Sequence, residues 1–298
     1  MRLISLSAAA FVAVGGFVST TRAGDFASSV SDYAEGTFLT VAGQHYTQTS
    51  AALGKPSPIV GAGGAFAGIL SPFNGHYEQN ELVGFGLAGH ITLQFPQAVG
   101  VTGSPQIGLF TSAAFVDQDY PNGSTGANTN TGAMDEYGAQ RTAIVEVAKT
   151  PNDFRSLGRV TLDDPTNYYA NATAPYQFPA PDPAVLASFD QPFVGTPSDF
   201  NNKNFAGVLG VLNGSAGGTW LSIPGALGLD AIQYVRISDP KWQLPDGTLV
   251  DTRASVYFPP PNEFIKPADV FLDGAVLIPE PAGILLLSTL SVVRRRRR

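Results

Sequence analysis

Apolar and polar positions alternate along short stretches of this chain, and the alternation has a period of two. In Ile91-Thr92-Leu93-Gln94-Phe95 every second residue is apolar, and Ile144-Val145-Glu146-Val147 and Ile232-Gln233-Tyr234-Val235-Arg236-Ile237 repeat the habit. Such a period puts one face of a strand in a core and the other in water. Short β-rich runs between turn residues predict strands at Thr37–Val41, His90–Phe95, Gln106–Phe110, Ala143–Ala148, Gly158–Leu162, Trp220–Ile223, Ala231–Ile237, Ala254–Phe258 and Val270–Ile278. Gly, Pro, Asn and Asp separate these runs, and helical periodicity is almost absent. Many short strands between turn signals predict an all-β body, a jelly-roll β-sandwich, and no βαβ rhythm supports a parallel α/β sheet. Two long stretches lack the pattern. Ser112–Gln140 holds a polar loop around Pro121-Asn122-Gly123, and Asp163–Asn204 carries seven prolines with several aromatics. Long loops of this kind are expected to be functional or disordered.

Composition narrows the classes. Of 298 residues only 14% are charged, and there is no cysteine. Disulfides, thiolate metal sites and cysteine nucleophiles are thereby excluded. Seven of the 17 basic residues lie at the extreme ends: Arg2, Arg22 and Arg294 to Arg298. The body between Gly24 and Pro279 keeps ten basic residues against 23 acidic ones, a net −13. An acidic body repels phosphate backbones, so no nucleic-acid partner is expected.

The ends carry the most specific signals. Arg2, the apolar run Leu3–Val18 and the small residues of Thr21-Arg22-Ala23 form a secretory signal peptide over residues 1–23, with cleavage expected before Gly24. The body is expected over 24–276 and a sorting and membrane segment over 277–298. That segment reads Pro279-Glu280-Pro281, then the apolar run Ala282–Val293, then Arg294, Arg295, Arg296, Arg297 and Arg298. Twelve apolar residues make a short hydrophobic helix of about 18 Å, against a hydrocarbon core of about 30 Å. It is a marginal anchor, and the arginines hold the extreme end on the cytoplasmic side. This tail resembles the PEP-CTERM sorting signal of bacterial surface proteins. The resemblance implies an exosortase-type transpeptidase as processing partner, transient anchoring in the inner membrane, and delivery to the cell surface or an extracellular, biofilm-type matrix. Tyr46 with Ala51-Ala52-Leu53-Gly54-Lys55-Pro56-Ser57, the lead Gly84–Gly89 into the His90 strand, the Ala143–Gly158 hairpin and Leu229–Ile237 resemble segments of cell-surface proteins that often bear such a tail. They imply a galactose-binding-like (discoidin-type) jelly roll.

Few motifs carry chemistry. Gly84-x-Gly86-x-x-Gly89 matches a dinucleotide fingerprint in letters, but a strand follows it and no acid holds the ribose position, so it reads as a turn. His45, His76 and His90 lack ligand spacing and read as structural. No G-x-S-x-G elbow occurs. Asp117-x-Asp119-x-x-Asn122-Gly123 and the pair Asp163-Asp164 offer hard oxygens for a structural calcium, since that ion needs several converging carboxylates. No other cofactor is expected. Tyr168, Tyr169, Tyr176 and Trp242 sit in loop-like contexts as candidates for stacking on sugar rings. The function expected is a non-enzymatic polysaccharide-binding or adhesive module. A secreted carbohydrate-active enzyme and a purely structural matrix protein are the alternatives.

Overall fold

The computed structural model describes residues 24–37, 45–62, 64, 67–101, 103, 105–127, 139–254 and 265–279. The leader and the tail from Glu280 onward lie outside these residues, as does most of the expected strand at Thr37–Val41. Of the strand expected at Ala254–Phe258, only Ala254 is described.

The alternating runs pair into two antiparallel sheets. One contains β1 (Asp25–Phe26), β5 (Val83–Phe85), β7 (Gln106–Thr111), β10 (Thr219–Ser222) and β15 (Val270–Ile278). Its order is β1-β15-β7-β10, with β5 joining β15 further along. The other contains β2 (Ser29–Ala34), β6 (His90–Gly100), β8 (Gln140–Ala148), β9 (Arg155–Thr161), β11 (Ala231–Gln243) and β12 (Leu249–Val250). Its order is β2-β6-β11-β8-β9, with β12 beside β11. Two ribbons complete the set: β3 (Ile59–Val60) with β4 (Gly68–Ile69), and β13 (Thr252–Ala254) with β14 (Ile265–Pro267).

The two sheets face each other across one core. Ile91, Leu93 and Phe95 of β6 and Val145 and Val147 of β8 meet Ile107 and Leu109 of β7 and Leu272 and Leu277 of β15. Each such side chain contributes about 1.5–3 kcal/mol by leaving water. The fold is therefore an all-β sandwich of antiparallel sheets. Strand β15 is buried on both faces, which explains why Val270–Ile278 is apolar apart from Asp273. It continues through Leu277 and Ile278, beyond the expected body boundary at 276, because both pair with β7 at Ile107 and Gln106.

The Pro-rich stretch is a third layer and not an open loop. Strand β7 turns Leu109 into the main core and Phe110 outward, and β15 turns Val276 outward. Ala187 and Phe189 cover that outer face. Beyond them, Phe73, Phe115, Tyr169, Phe200, Phe205 and Val208 build a second core. This core includes an eight-residue helix, α1 (Phe205–Leu212), which the near absence of helical periodicity did not mark. Asn204 caps it by accepting from the Gly207 amide at 2.9 Å, and Asn213 ends it in the left-handed region. Its eight residues include Gly207 and Gly210, poor helix formers, so tertiary packing rather than propensity holds it.

Candidate functional site

The loop after β7 is tied down at both ends. On its near side Phe115 enters the second core, and its amide donates to Pro72 O at 2.8 Å. On its far side the Thr125 amide donates to Lys203 O at 2.8 Å. Between these anchors the Asp117 carboxylate organises the turn. It accepts the amides of Asp119 (3.0 Å), Gly123 (3.1 Å) and Ser124 (2.9 Å). Charge-assisted acceptors of this kind are the strong ones. The Tyr120 ring stands at the tip, 68% exposed.

Beside it lies Tyr176, supplied by the Pro-rich layer. Its neighbours are fixed: Ser71 Oγ donates to Pro175 O at 2.7 Å, and the Ile69 amide donates to Gln177 O at 3.0 Å. The Tyr120 and Tyr176 rings are 5.1 Å apart, tilted by 57°. Burial, and then the charge of the nearby Asp117, pushes the Tyr176 phenol well above its ordinary pKa. The hydroxyl therefore stays protonated and can donate. Asp119 and Asn122, joined at 3.3 Å, line the rim. The result is a rigid pair of ring faces beside carboxylate and amide groups, the mixture that holds a ligand with one apolar face and several hydroxyls.

Of the residues singled out from sequence, Asp117, Asp119 and Tyr176 are brought together. The others are not. Trp242 is 1% exposed, packed among Ala139 and Ala268 with the Arg141 guanidinium 5.3 Å from its ring. Tyr169 is 6% exposed. Neither has a ring face for a sugar, because both fill cores. Tyr168 is half-buried against Tyr169 and Phe189. Among the described residues the aromatics that do face solvent are Tyr120 and Phe178, and sequence reasoning made neither a candidate. A tyrosine between two aspartates and a Pro-Asn-Gly turn has no apolar neighbours to bury against, and that was the available signal.

The carboxylates considered for calcium have the following partners in the fold. Asp117 is occupied by backbone amides, as above. Asp163 is buried and accepts the Arg141 amide at 2.7 Å. Asp164 accepts the Thr219 hydroxyl at 3.2 Å. Among the described residues no three acidic or histidine side chains converge as a metal site requires.

Each histidine faces its own carboxylate: His45 with Glu35 at 2.9 Å, His90 with Asp32 at 2.8 Å, and His76 with Asp273 at 2.7 Å. The last pair is fully buried and resembles part of a catalytic triad. Its Nε2, however, points to the Ile59 carbonyl at 3.3 Å, so both ring nitrogens are engaged and neither is available to a substrate. It clamps the β3–β4 ribbon onto β15.

No family model matches the chain, and no curated protein shows significant similarity to it. Among the described residues no helix is long and apolar enough to cross a membrane.

Proposed function

We propose that this is an exported, non-enzymatic surface or matrix protein whose body binds extracellular polysaccharide. The observation that carries the reading is the exposed Tyr120 ring set beside Tyr176 and Asp117 on an anchored loop. Exposing a large aromatic forgoes the gain from burying it, and a ring held in place by surrounding structure suits stacking on the C–H face of a pyranose. The acidic rim accepts sugar hydroxyls and disfavours anionic polymers such as nucleic acids. The order of the strands, with β2-β6-β11-β8-β9 facing β1-β15-β7-β10, supports a jelly roll of the galactose-binding-like type.

The test is a glycan array followed by titration of the best ligand. Tyr120→Ala should weaken binding at least about tenfold, the scale of a hot-spot aromatic. It should leave stability within about 0.5 kcal/mol, as for exposed positions generally. Binding that survives Tyr120→Ala unchanged, or an array with no ligand, refutes the site.

The delivery route in this reading rests on the sequence of the ends. The leader exports the chain, and an exosortase-type enzyme recognises Pro279-Glu280-Pro281, the apolar run and the arginines. Glu280→Gln, or loss of Arg294 to Arg298, should leave uncut protein in the membrane fraction. Normal release of both variants refutes that route.

A further inference from the structure

The described body begins and ends on neighbouring strands. Asp25 pairs with Leu277 and Phe26 with Val276, so Gly24 and Pro279 flank the same end of the sheet. Strand β1 has only two residues, and a ladder this short needs other anchors. One is the Phe26 ring, 6.0 Å from Phe189 of the Pro-rich layer. Another is the Ala27 amide, which donates to Ala275 O at 2.9 Å. The third is the residue that follows Phe189 in the chain. The Asp190 carboxylate accepts the Gly24 nitrogen at 3.1 Å.

A side chain at Gly24 would have to push its neighbours aside. A Cβ there would lie 2.7 Å from Asp190 Oδ1, 2.7 Å from Val276 Cγ2 and 3.0 Å from Ile278 Cγ1. Glycine brings its nitrogen to Asp190 and lies against the end of β15 without displacing these side chains. Glycine is also the residue expected to become the first of the chain once the leader is removed.

We propose that Asp190 is the receptor for the new amino terminus at Gly24, and that this contact fastens β1 over the last residues of β15, directly before Pro279. The inference rests on the leader reading above. Cleavage of the Ala23–Gly24 peptide bond by water leaves the carboxylate on Ala23 and an ammonium on Gly24. The 3.1 Å amide hydrogen bond of the precursor, charged only on its acceptor, thereby becomes an ion pair charged on both sides. The Pro-rich layer then has a second task besides covering the sheet: it holds the mature end in place. The charged groups around this point are Asp190 from that layer, Asp25 from β1 itself, and Lys55, whose ammonium lies 5.1 Å from the Phe189 ring centroid. Strand β15 adds only apolar Val276 and Ile278.

The test has two parts. Mass spectrometry of the exported protein identifies its first residue. The body, which carries both sheets and all four apolar clusters as one compact unit, is then prepared to start at Gly24, with and without Asp190→Asn. The pKa of its α-amine is read by NMR. The carboxylate should raise that value by a few tenths to about 0.7 unit over the Asp190→Asn body, the range of an exposed ion pair. Hydrogen exchange of the Ala27 amide should speed up about two- to fivefold in Asp190→Asn. A Gly24 start with the same amine pKa in both bodies overturns the receptor role and leaves the leader reading intact. A start at another residue overturns the leader reading and the receptor role together.

Discussion

Asp164 is the residue whose replacement should make this protein more stable. It follows β9, and its carboxylate is largely enclosed, accepting one hydrogen bond, from Thr219 at 3.2 Å. Burial pushes its pKa from an ordinary 3.8 to about 6, with the Thr219 hydrogen bond working the other way. A raised carboxyl pKa means that the folded state binds the proton more tightly than the unfolded chain does. Native stability is therefore favoured below about pH 4 and declines between about pH 4 and pH 6, as the unfolded chain ionises first. Above that window the ionised carboxylate costs about 3 kcal/mol, two pKa units at about 1.4 kcal/mol each. Asp164→Asn keeps an oxygen for Thr219 and cannot ionise. Its amide nitrogen needs a new partner, which costs about 1 kcal/mol. The expected gain is about 2 kcal/mol near pH 7, disappearing near pH 4. Urea denaturation followed by the fluorescence of Trp220 and Trp242 reads both conditions. A variant less stable near pH 7, or a gain independent of pH, refutes the reasoning. A loss that appears only with calcium would instead restore Asp164 as a cation ligand.

Phe200 is fully buried, with Phe115 and Phe193 at 5.0 and 5.2 Å; Phe200→Ala should cost about 3–5 kcal/mol and loosen the Tyr120 loop through Phe115. A loss below about 1 kcal/mol would mean the Pro-rich layer is not a core. Burial alone lowers the His76 pKa, but the hydrogen bond and charge of Asp273, aided by Glu81, outweigh it and raise it above the ordinary value. The stability contributed by that imidazolium should be complete below about pH 6.5 and lost as pH rises through the folded value. Denaturation midpoints across that range test it: His76→Gln should be less stable than the parent on the acid side and should flatten the decline, and an equally steep decline in the variant would contradict it.

The strands that build the sandwich were legible because a one-residue period error would turn every apolar side chain to water. His90–Phe95, Gln106–Phe110, Ala143–Ala148, Gly158–Leu162, Trp220–Ile223, Ala231–Ile237 and Val270–Ile278 all fall largely or wholly within strands. Even the double burial of β15 shows, as two apolar stretches that flank Asp273. Asp117 also belonged to a recognisable turn, which its carboxylate organises by accepting three backbone amides.

The rest depended on contacts that no local pattern contains. Trp242 looked like a loop aromatic beyond the end of its strand. Strand β11 in fact continues to Gln243 across an irregularity between Ser238 and Lys241, where Asp239 takes a positive φ of 49°. A bulge changes which residues face inward, so alternation counted from Ile237 misplaces the tryptophan. The Pro-rich stretch read as open because prolines break ladders, yet Phe110 and Val276 left the outer sheet face needing cover, and Ala187 and Phe189 supply it. Tyr120 and Tyr176 are 56 positions apart in sequence. Local chemistry marked strands and turns; only the packing of a third layer on the sandwich decided which aromatics are core and which two stand together at the surface.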